Sequence, residues 1–144
     1  MEEIGAGWQA ARRWRIELWV WGPVGAYCML IFYLSSLSYV TPIGTSDKFA
    51  HFCEYSILGI LWARALRYRK PAWPILFVLL STTVFTGVYG ASDEWHQAYV
   101  PGRVSDMHDA FADVAGGTFG GSVYLLWQWM RESVGKRSPI LPLL

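Results

Sequence analysis

Three ionisable residues of different chemistry follow one another at helical spacing in the first half of the chain. Asp47, His51 and Glu54 are separated by four and three residues. At about 100° per residue, this spacing puts the three side chains on one face of a helix. An imidazole between two carboxylates can transfer protons or bind a divalent cation. We therefore predict that His51 and Glu54 are catalytic residues and that Asp47 is a binding residue.

A second acidic series occurs in the last third of the chain. Asp106, Asp109 and Asp113 are three and four residues apart, so they also share one helix face. Asp106 and Asp109 would lie at the start of that helix, where the helix dipole favours negative charge. Asp113 would lie deeper, where an ionisable side chain normally faces a cavity or a partner. We predict a catalytic role for Asp106 and a binding role for the other two.

Two pairs of glycines directly follow this acidic series. Gly116 and Gly120 form one pair, and Gly117 and Gly121 form the other. Small residues four apart let two membrane helices approach closely. The spacing predicts that this helix packs against other helices along its acidic face, so that the carboxylates are directed towards the inside of the bundle.

A third group of polar residues follows a glycine-containing apolar run. It consists of Asp93, Glu94, His96 and Gln97. If the preceding helix continues through this segment, Glu94 lies beside Gln97 and Asp93 lies beside His96. We predict Glu94 as a catalytic residue and the other three as binding residues.

Two cations accompany the acidic groups. Lys48 and Arg103 are predicted to bind a phosphate or a carboxylate of a ligand. The acidic and histidine side chains would act as acids and bases or as ligands of a divalent cation. No compact metal motif such as His-Glu-x-x-His occurs in the chain. No cofactor is therefore assigned, and a divalent cation stays an open alternative.

The elements that position these residues are predicted to be membrane helices. The chain has 144 residues, 53% of them hydrophobic, and a mean hydropathy of +0.25. A crossing helix needs about 20 mostly apolar residues. We predict an all-α integral membrane protein, a four-helix bundle with spans near 18–39, 48–65, 71–90 and 109–130. The second of these has the weakest hydropathy, because His51 and Glu54 interrupt it.

The positions of the basic residues decide whether that second segment crosses. Ten of the twelve Lys and Arg residues lie in three groups, within 12–15, 64–70 and 131–137. Cytoplasmic loops next to membrane spans are enriched in Lys and Arg. Four spans put all three groups on the cytoplasmic side, whereas three spans would not. The pattern predicts a multi-pass protein of a bacterial-type inner membrane with both termini in the cytoplasm.

The domain organisation and the partners follow from this topology. We predict a cytoplasmic N-terminal segment at 1–17, a membrane domain at 18–137 and a cytoplasmic tail at 138–144. The lipid bilayer is the expected partner, together with a lipid-linked substrate of the cell envelope. No nucleic-acid partner is expected, because the basic groups form the cytoplasmic flanks of the spans. An oligomer would be expected of a transporter, because four spans are few for a monomeric one.

Three segments of the chain, in this order, resemble the VanZ-like family of membrane proteins. They are Asp47-Lys-Phe-Ala-His-Phe-Cys-Glu-Tyr-Ser-Ile-Leu-Gly59, Gly90-Ala-Ser-Asp-Glu-Trp-His-Gln97 and the run from Arg103 to Gly117. The family pattern has Lys and His in the first segment, Glu and Gln in the second, and Arg, Asp and Gly in the last. It commonly has Asn where this chain has Asp113. The resemblance implies a cell-envelope protein of a family named for a teicoplanin-resistance member, and it names no reaction.

Three functional hypotheses stay open at this point. The first is an enzyme that acts on a lipid-linked or headgroup substrate at the outer leaflet. The second is a non-enzymatic module that binds or transports an envelope ligand, an antibiotic or a proton. The third is structural, with the charged groups forming buried pairs that fix the register of the helices.

Overall fold

The computed structural model describes residues 2–38, 47–103 and 105–137, and this part of the chain contains four α-helices and no strand. They are α1 (Glu2–Ser35), α2 (Asp47–Arg69), α3 (Ile75–Gln97) and α4 (Met107–Arg137). α2 and α4 pack most extensively, α3 lies against α4, and α1 lies at the periphery against α2. The predicted all-α four-helix bundle is confirmed.

The helices begin and end at different residues from the predicted spans. α3 begins at Ile75 and not at 71, because the ring of Pro74 disfavours a helical conformation of the residue before it. It then continues beyond Gly90 to Gln97. α1 ends at Ser35, short of the predicted 39, and its first half takes in the predicted N-terminal segment. Position 39 and the predicted tail at 138–144 lie outside the described residues.

Two apolar clusters form the core. The first joins α1 to α2 and consists of Val20, Val24, Ile31, Tyr55, Leu58 and Ala65. The second joins α2 to α3 and α4 and consists of Ala63, Leu66, Val78 and Leu125. Most of these side chains are aliphatic and recur on the helix faces that point inwards, which stabilises the bundle by close packing.

Polar and apolar residues are distributed in the reverse of the pattern of a water-soluble protein. Large apolar side chains point outwards, among them Met29, Val88 and Phe111. Thr82 and Asp113 are fully buried. Such a surface is typical of a protein solvated by lipid. Among the described residues, two stretches are long and apolar enough to cross a membrane, Arg12–Ser35 and Ile75–Gln97.

The glycines of α4 allow the close contact between α2 and α4. A Cβ atom at Gly116 would overlap the carbonyl oxygen of Phe52, and one at Gly120 would overlap that of Ser56. Gly59 of α2 faces the backbone of α4 in the same way. The prediction that the glycine pairs face other helices is confirmed, since any side chain here would push the two backbones apart.

The two ends of the bundle differ in charge. At one end, Arg69 forms a 2.7 Å salt bridge with Glu17, and Arg67 donates a 2.9 Å hydrogen bond to Gln128. The opposite end contains all three histidines and most of the acidic side chains. The packing of α2 on α4 brings the acidic faces of both helices together there. We call it the acidic end, and it contains the candidate site.

Candidate functional site

A buried group of three ionisable side chains joins α2, α3 and α4 at the acidic end. Nδ1 of His51 forms a hydrogen bond of 2.9 Å with Oδ1 of Asp113. Oε1 of Glu94 lies 3.9 Å from the same nitrogen. The side chains of His51 and Glu94 are 6% and 7% exposed, and that of Asp113 is fully buried. We call these three residues the buried triad.

A glycine on α3 makes room for the deepest carboxylate of the triad. A Cβ atom at Gly90 would lie 2.7 Å from the Cβ of Asp113. Glycine disfavours a helix interior by about 1 kcal/mol relative to alanine. Here it is required because α3 and α4 approach closely at the Asp113 side chain. The helix therefore passes through Gly90 without ending, and its next turn carries Glu94 into the triad.

The hydrogen bonds of the triad are incomplete within the described part of the chain. Oε2 of Glu94 accepts a 2.9 Å hydrogen bond from the backbone N–H of Asp106. Its other oxygen, Oε1, and Oδ2 of Asp113 are buried and have no hydrogen-bond partner among the described residues. The same holds for the hydroxyl of Tyr55, whose ring stacks beside that of His51. A buried polar atom without a partner is costly, and in native proteins it commonly marks a function or a bound ligand.

A second charged group lies at the rim of the acidic end. Nζ of Lys48 lies 2.9 Å from Oδ2 of Asp106 and 3.2 Å from Oδ1 of Asp109. Asp106 also caps α4, since its Oδ1 accepts a 2.9 Å hydrogen bond from the backbone N–H of His108. This N–H and the Lys48 ammonium hold the pKa of Asp106 below its usual value. Asp106 is therefore a charged helix cap in this structure.

A polar cavity of about 50 Å³ lies beside the buried triad. His51 lines it, and so do five other predicted site residues, which are Asp47, Glu54, Asp93, Gln97 and Arg103. Nε2 of Gln97 donates a 3.1 Å hydrogen bond to Oδ2 of Asp93, as expected for residues one helical turn apart. The volume is enough for a few water molecules or for a small group of a larger ligand.

Arg103 joins the end of α1 to the loop before α4. Its Nε donates to the carbonyl of Leu37 at 3.0 Å, and its Nη2 donates to the carbonyl of Leu34 at 3.0 Å. Carbonyl groups at a helix C-terminus lack partners within the helix, and a cation is favoured there. The guanidinium thus lines the polar cavity from a position held by the backbone of α1.

A larger cavity of about 410 Å³ opens between α1 and α3 and has a mainly apolar lining. It is lined by Phe32, Tyr89, Ser92, Asp93, Trp95, His96 and Tyr99. We call it the aromatic cavity. His96 is held at its edge by a 3.0 Å hydrogen bond to Ser36 and by a 4.5 Å approach to the Phe32 ring. Asp93 lines both this cavity and the polar one.

Within the described part of the chain, two sets of three side chains are close enough to hold a metal ion. One is the buried triad, and the other consists of Asp47, His51 and Asp109. In each set, one possible ligand atom from every residue lies within 4.8 Å of the others. His51 belongs to both sets.

The twelve predicted site residues fall into four groups in the structure. The groups are the buried triad of His51, Glu94 and Asp113; the polar cavity with Asp47, Glu54, Asp93, Gln97 and Arg103; the rim with Lys48, Asp106 and Asp109; and His96 at the aromatic cavity. Sequence reasoning did not single out Tyr55 or the aromatic residues of the larger cavity. Many aromatic residues lie near span ends, where aromatic side chains are expected at a membrane interface. Their residue types therefore did not indicate which of them line a cavity.

Comparison with known proteins agrees with the resemblance noted in the sequence. The family model described as VanZ/LLP1 matches residues 16–128. The search of curated proteins and the search of solved structures gave no match. The match begins in the first half of α1 and ends in the second half of α4, so it includes all four helices and the whole of the acidic end. This chain is therefore a membrane protein of the VanZ/LLP1 family.

Proposed function

We propose that this VanZ-like envelope protein binds a lipid-linked substrate at its acidic end and acts on the headgroup by acid–base chemistry. One observation carries the proposal. Asp93 lines both the aromatic cavity of about 410 Å³ and the polar cavity of about 50 Å³. An apolar site and a polar site that share a wall suit a molecule with one apolar and one polar part.

The aromatic cavity would take the apolar part of that substrate. Its volume lies within the roughly 300–1,000 Å³ of typical small-molecule sites. Phe32, Trp95 and Tyr99 are among its lining residues, and the cavity lies between α1 and α3, at a surface that otherwise presents apolar side chains. The apolar chain or ring of the substrate could therefore enter the cavity from the surrounding lipid without crossing water.

The polar cavity would take the reacting group of the headgroup. Glu54 and Asp93 line it and are the groups that we propose for proton transfer, which contributes about 10²–10⁴-fold to a rate. Arg103 lines the same cavity and would stabilise a phosphate or carboxylate. The cavity is too small for a whole headgroup, so only its reacting end would enter.

The second candidate function is non-enzymatic binding or transport of an amphipathic envelope ligand or antibiotic. The apolar lining and the size of the aromatic cavity favour it, because most of the contact would then be made without the acidic groups. A transporter of four helices would be expected to work as an oligomer.

The enzymatic proposal is tested with purified protein and polyprenyl phosphates and pyrophosphates, with and without a chelator. Wild-type protein is expected to release phosphate or the headgroup, and Glu54→Gln is expected to lower the rate by about 10²–10⁴-fold because the proton acceptor is lost. Glu132→Gln is the matched control, since Glu132 lies at the opposite end beside Arg67. Release of headgroup products is followed by thin-layer chromatography.

Binding separates the two candidates. Lipid binding is measured from the tryptophan fluorescence, to which Trp95 contributes directly. If wild-type protein binds these lipids but returns every one of them unchanged, the enzymatic proposal is wrong and the binding function is favoured. If Glu54→Gln turns over substrate at the wild-type rate, Glu54 is not the proton-transfer group.

We further propose four membrane crossings, with both termini and the segments 1–17 and 138–144 in the cytoplasm of a bacterial-type inner membrane. The separation of basic and acidic residues to opposite ends of the bundle supports this topology. Alkaline phosphatase is expected to be active when fused after Pro101 and inactive after Ala72. A fluorescent protein fused after Leu144 should fluoresce. Active phosphatase after Ala72 would mean that α2 does not cross.

A further inference from the structure

We infer that the buried triad of His51, Glu94 and Asp113 binds one divalent transition-metal ion. This inference deepens the proposed function and rests on it in treating the acidic end as the working part of the protein. To the proposed function it adds a bound ion at the acidic end and the chemical class of that ion. It can be tested with metal alone, so a failure of the lipid experiment and a failure of this one are distinguishable.

The acidic end has more carboxylates than cations. Seven carboxylates lie there against two permanent cations; the carboxylates are Asp47, Glu54, Asp93, Glu94, Asp106, Asp109 and Asp113. Lys48 pairs with the two aspartates of the rim, and Arg103 donates to carbonyl groups of α1. Among the described residues, neither cation forms a salt bridge with the two carboxylates of the triad. The imidazole of His51 can balance at most one of these two carboxylates, and a buried charge that is not balanced is strongly unfavourable.

Two carboxylate oxygens of the buried triad are left without hydrogen bonds. Oε1 of Glu94 and Oδ2 of Asp113 have no hydrogen-bond partner among the described residues, and both residues are more than nine-tenths buried. Oε1 of Glu94 lies 3.9 Å from Nδ1 of His51. A buried polar atom without a partner commonly marks a function or a bound ion or water, and an imidazole nitrogen beside it can serve as a metal ligand.

The distances between the possible ligand atoms are close to those of a metal site. Ligands about 2.1 Å from a tetrahedral zinc ion lie about 3.4 Å from one another. The two distances from Nδ1 of His51 are 2.9 Å to Oδ1 of Asp113 and 3.9 Å to Oε1 of Glu94. These values bracket the ligand spacing of a zinc site, and one possible ligand atom from each of the three residues lies within 4.8 Å of the others.

The other set, with Asp47 and Asp109, fits an ion less well. Oδ1 of Asp109 lies 3.2 Å from the Lys48 ammonium, which already neutralises it. Asp47 is also only partly buried. The two carboxylates of the buried triad, in contrast, have only the imidazole of His51 between them. We therefore assign the ion to the buried triad.

The donor atoms decide the class of ion. One imidazole nitrogen and two carboxylate oxygens suit zinc or manganese, whereas calcium and magnesium prefer oxygen ligands throughout. Three protein ligands would leave one coordination position open, as in catalytic zinc sites. A water molecule or the reacting group of a substrate could take that position.

The experiment uses the full chain in detergent micelles after removal of metal with a chelator and gel filtration. Zn²⁺ is titrated by calorimetry, and Co²⁺ is added in parallel because its visible absorption reports tetrahedral coordination. We expect one ion per chain. Glu94→Gln and Asp113→Asn keep the side-chain volumes and are each expected to weaken binding by more than the roughly 10–100-fold that loss of an outer partner causes. His108→Gln is the matched control, because His108 is an exposed histidine.

Each outcome decides the inference. One tightly bound ion that is lost in both triad variants and kept in His108→Gln supports it. Equal binding by wild-type protein and both triad variants contradicts it, and so does the absence of stoichiometric binding by folded wild-type protein. Retention of the helical circular-dichroism spectrum shows which variants are folded, and either triad variant suffices for the comparison.

Discussion

Replacement of His51 by leucine is expected to lower the free energy of unfolding by about 3–5 kcal/mol, because it leaves Asp113 buried without its hydrogen-bonding partner. The bond between the two side chains is 2.9 Å long, and both are buried between α2 and α4. Unfolding is followed by tryptophan fluorescence during titration of SDS into detergent micelles. Excess chelator is present throughout, so that bound metal does not contribute to the stability.

The control for this variant is the double substitution His51→Leu with Asp113→Leu. Replacing both members of a buried ion pair by apolar residues is often neutral or stabilising, whereas removing one member is not. The double variant should therefore regain much of the loss. If His51→Leu has the stability of the wild type, the pair does not hold α2 against α4. If the double variant is as stable as the wild type but has lost function, the loss is caused by the missing side chains and not by unfolding.

Alanine at Gly120 is expected to destabilise the bundle by about 1–3 kcal/mol, the typical range for overpacking. A Cβ at this position overlaps the carbonyl oxygen of Ser56, and a backbone atom of a packed helix cannot move aside as a flexible side chain can. α2 and α4 would have to separate along their contact. The same SDS titration measures the effect.

Gly25 supplies the matched control for that substitution. A Cβ at Gly25 has no atom within 4 Å, and the residue lies in the helix interior of α1. Alanine in an open helix position is favoured over glycine by roughly 0.5–1 kcal/mol. The same chemical change should therefore be neutral or stabilising at Gly25 and destabilising at Gly120. Equal effects at the two positions would show that the α2–α4 contact is looser than the structure indicates.

Much of the site was predictable because its residues lie at helical spacing. Asp47, His51 and Glu54 share a face through local geometry alone, and all three line the polar cavity. The glycines after Asp113 predicted close packing for a similarly local reason, since small residues four apart form a groove on any helix. The number of helices followed from the apolar runs and the groups of basic residues.

The exact helix ends were less predictable. The uncharged run that begins at residue 71 ends before Asp93, which placed the end of the third span near Gly90. The helix itself continues to Gln97, and Gly90 lies where α3 approaches Asp113 too closely for a side chain. A packing requirement between two helices thus outweighs a local preference of about 1 kcal/mol.

The sequence by itself determined the four helices, the faces that carry their ionisable residues and the packing role of the glycines. Only the tertiary structure decided that His51 pairs with Asp113, sixty-two positions later, and that Glu94 lies beside both. It also decided that Arg103 binds carbonyl groups of α1. The physical reason is that the helical period sets the direction of a side chain within its own helix. The rotation and depth of one helix against another depend on how their surfaces pack, which involves residues distant in the chain.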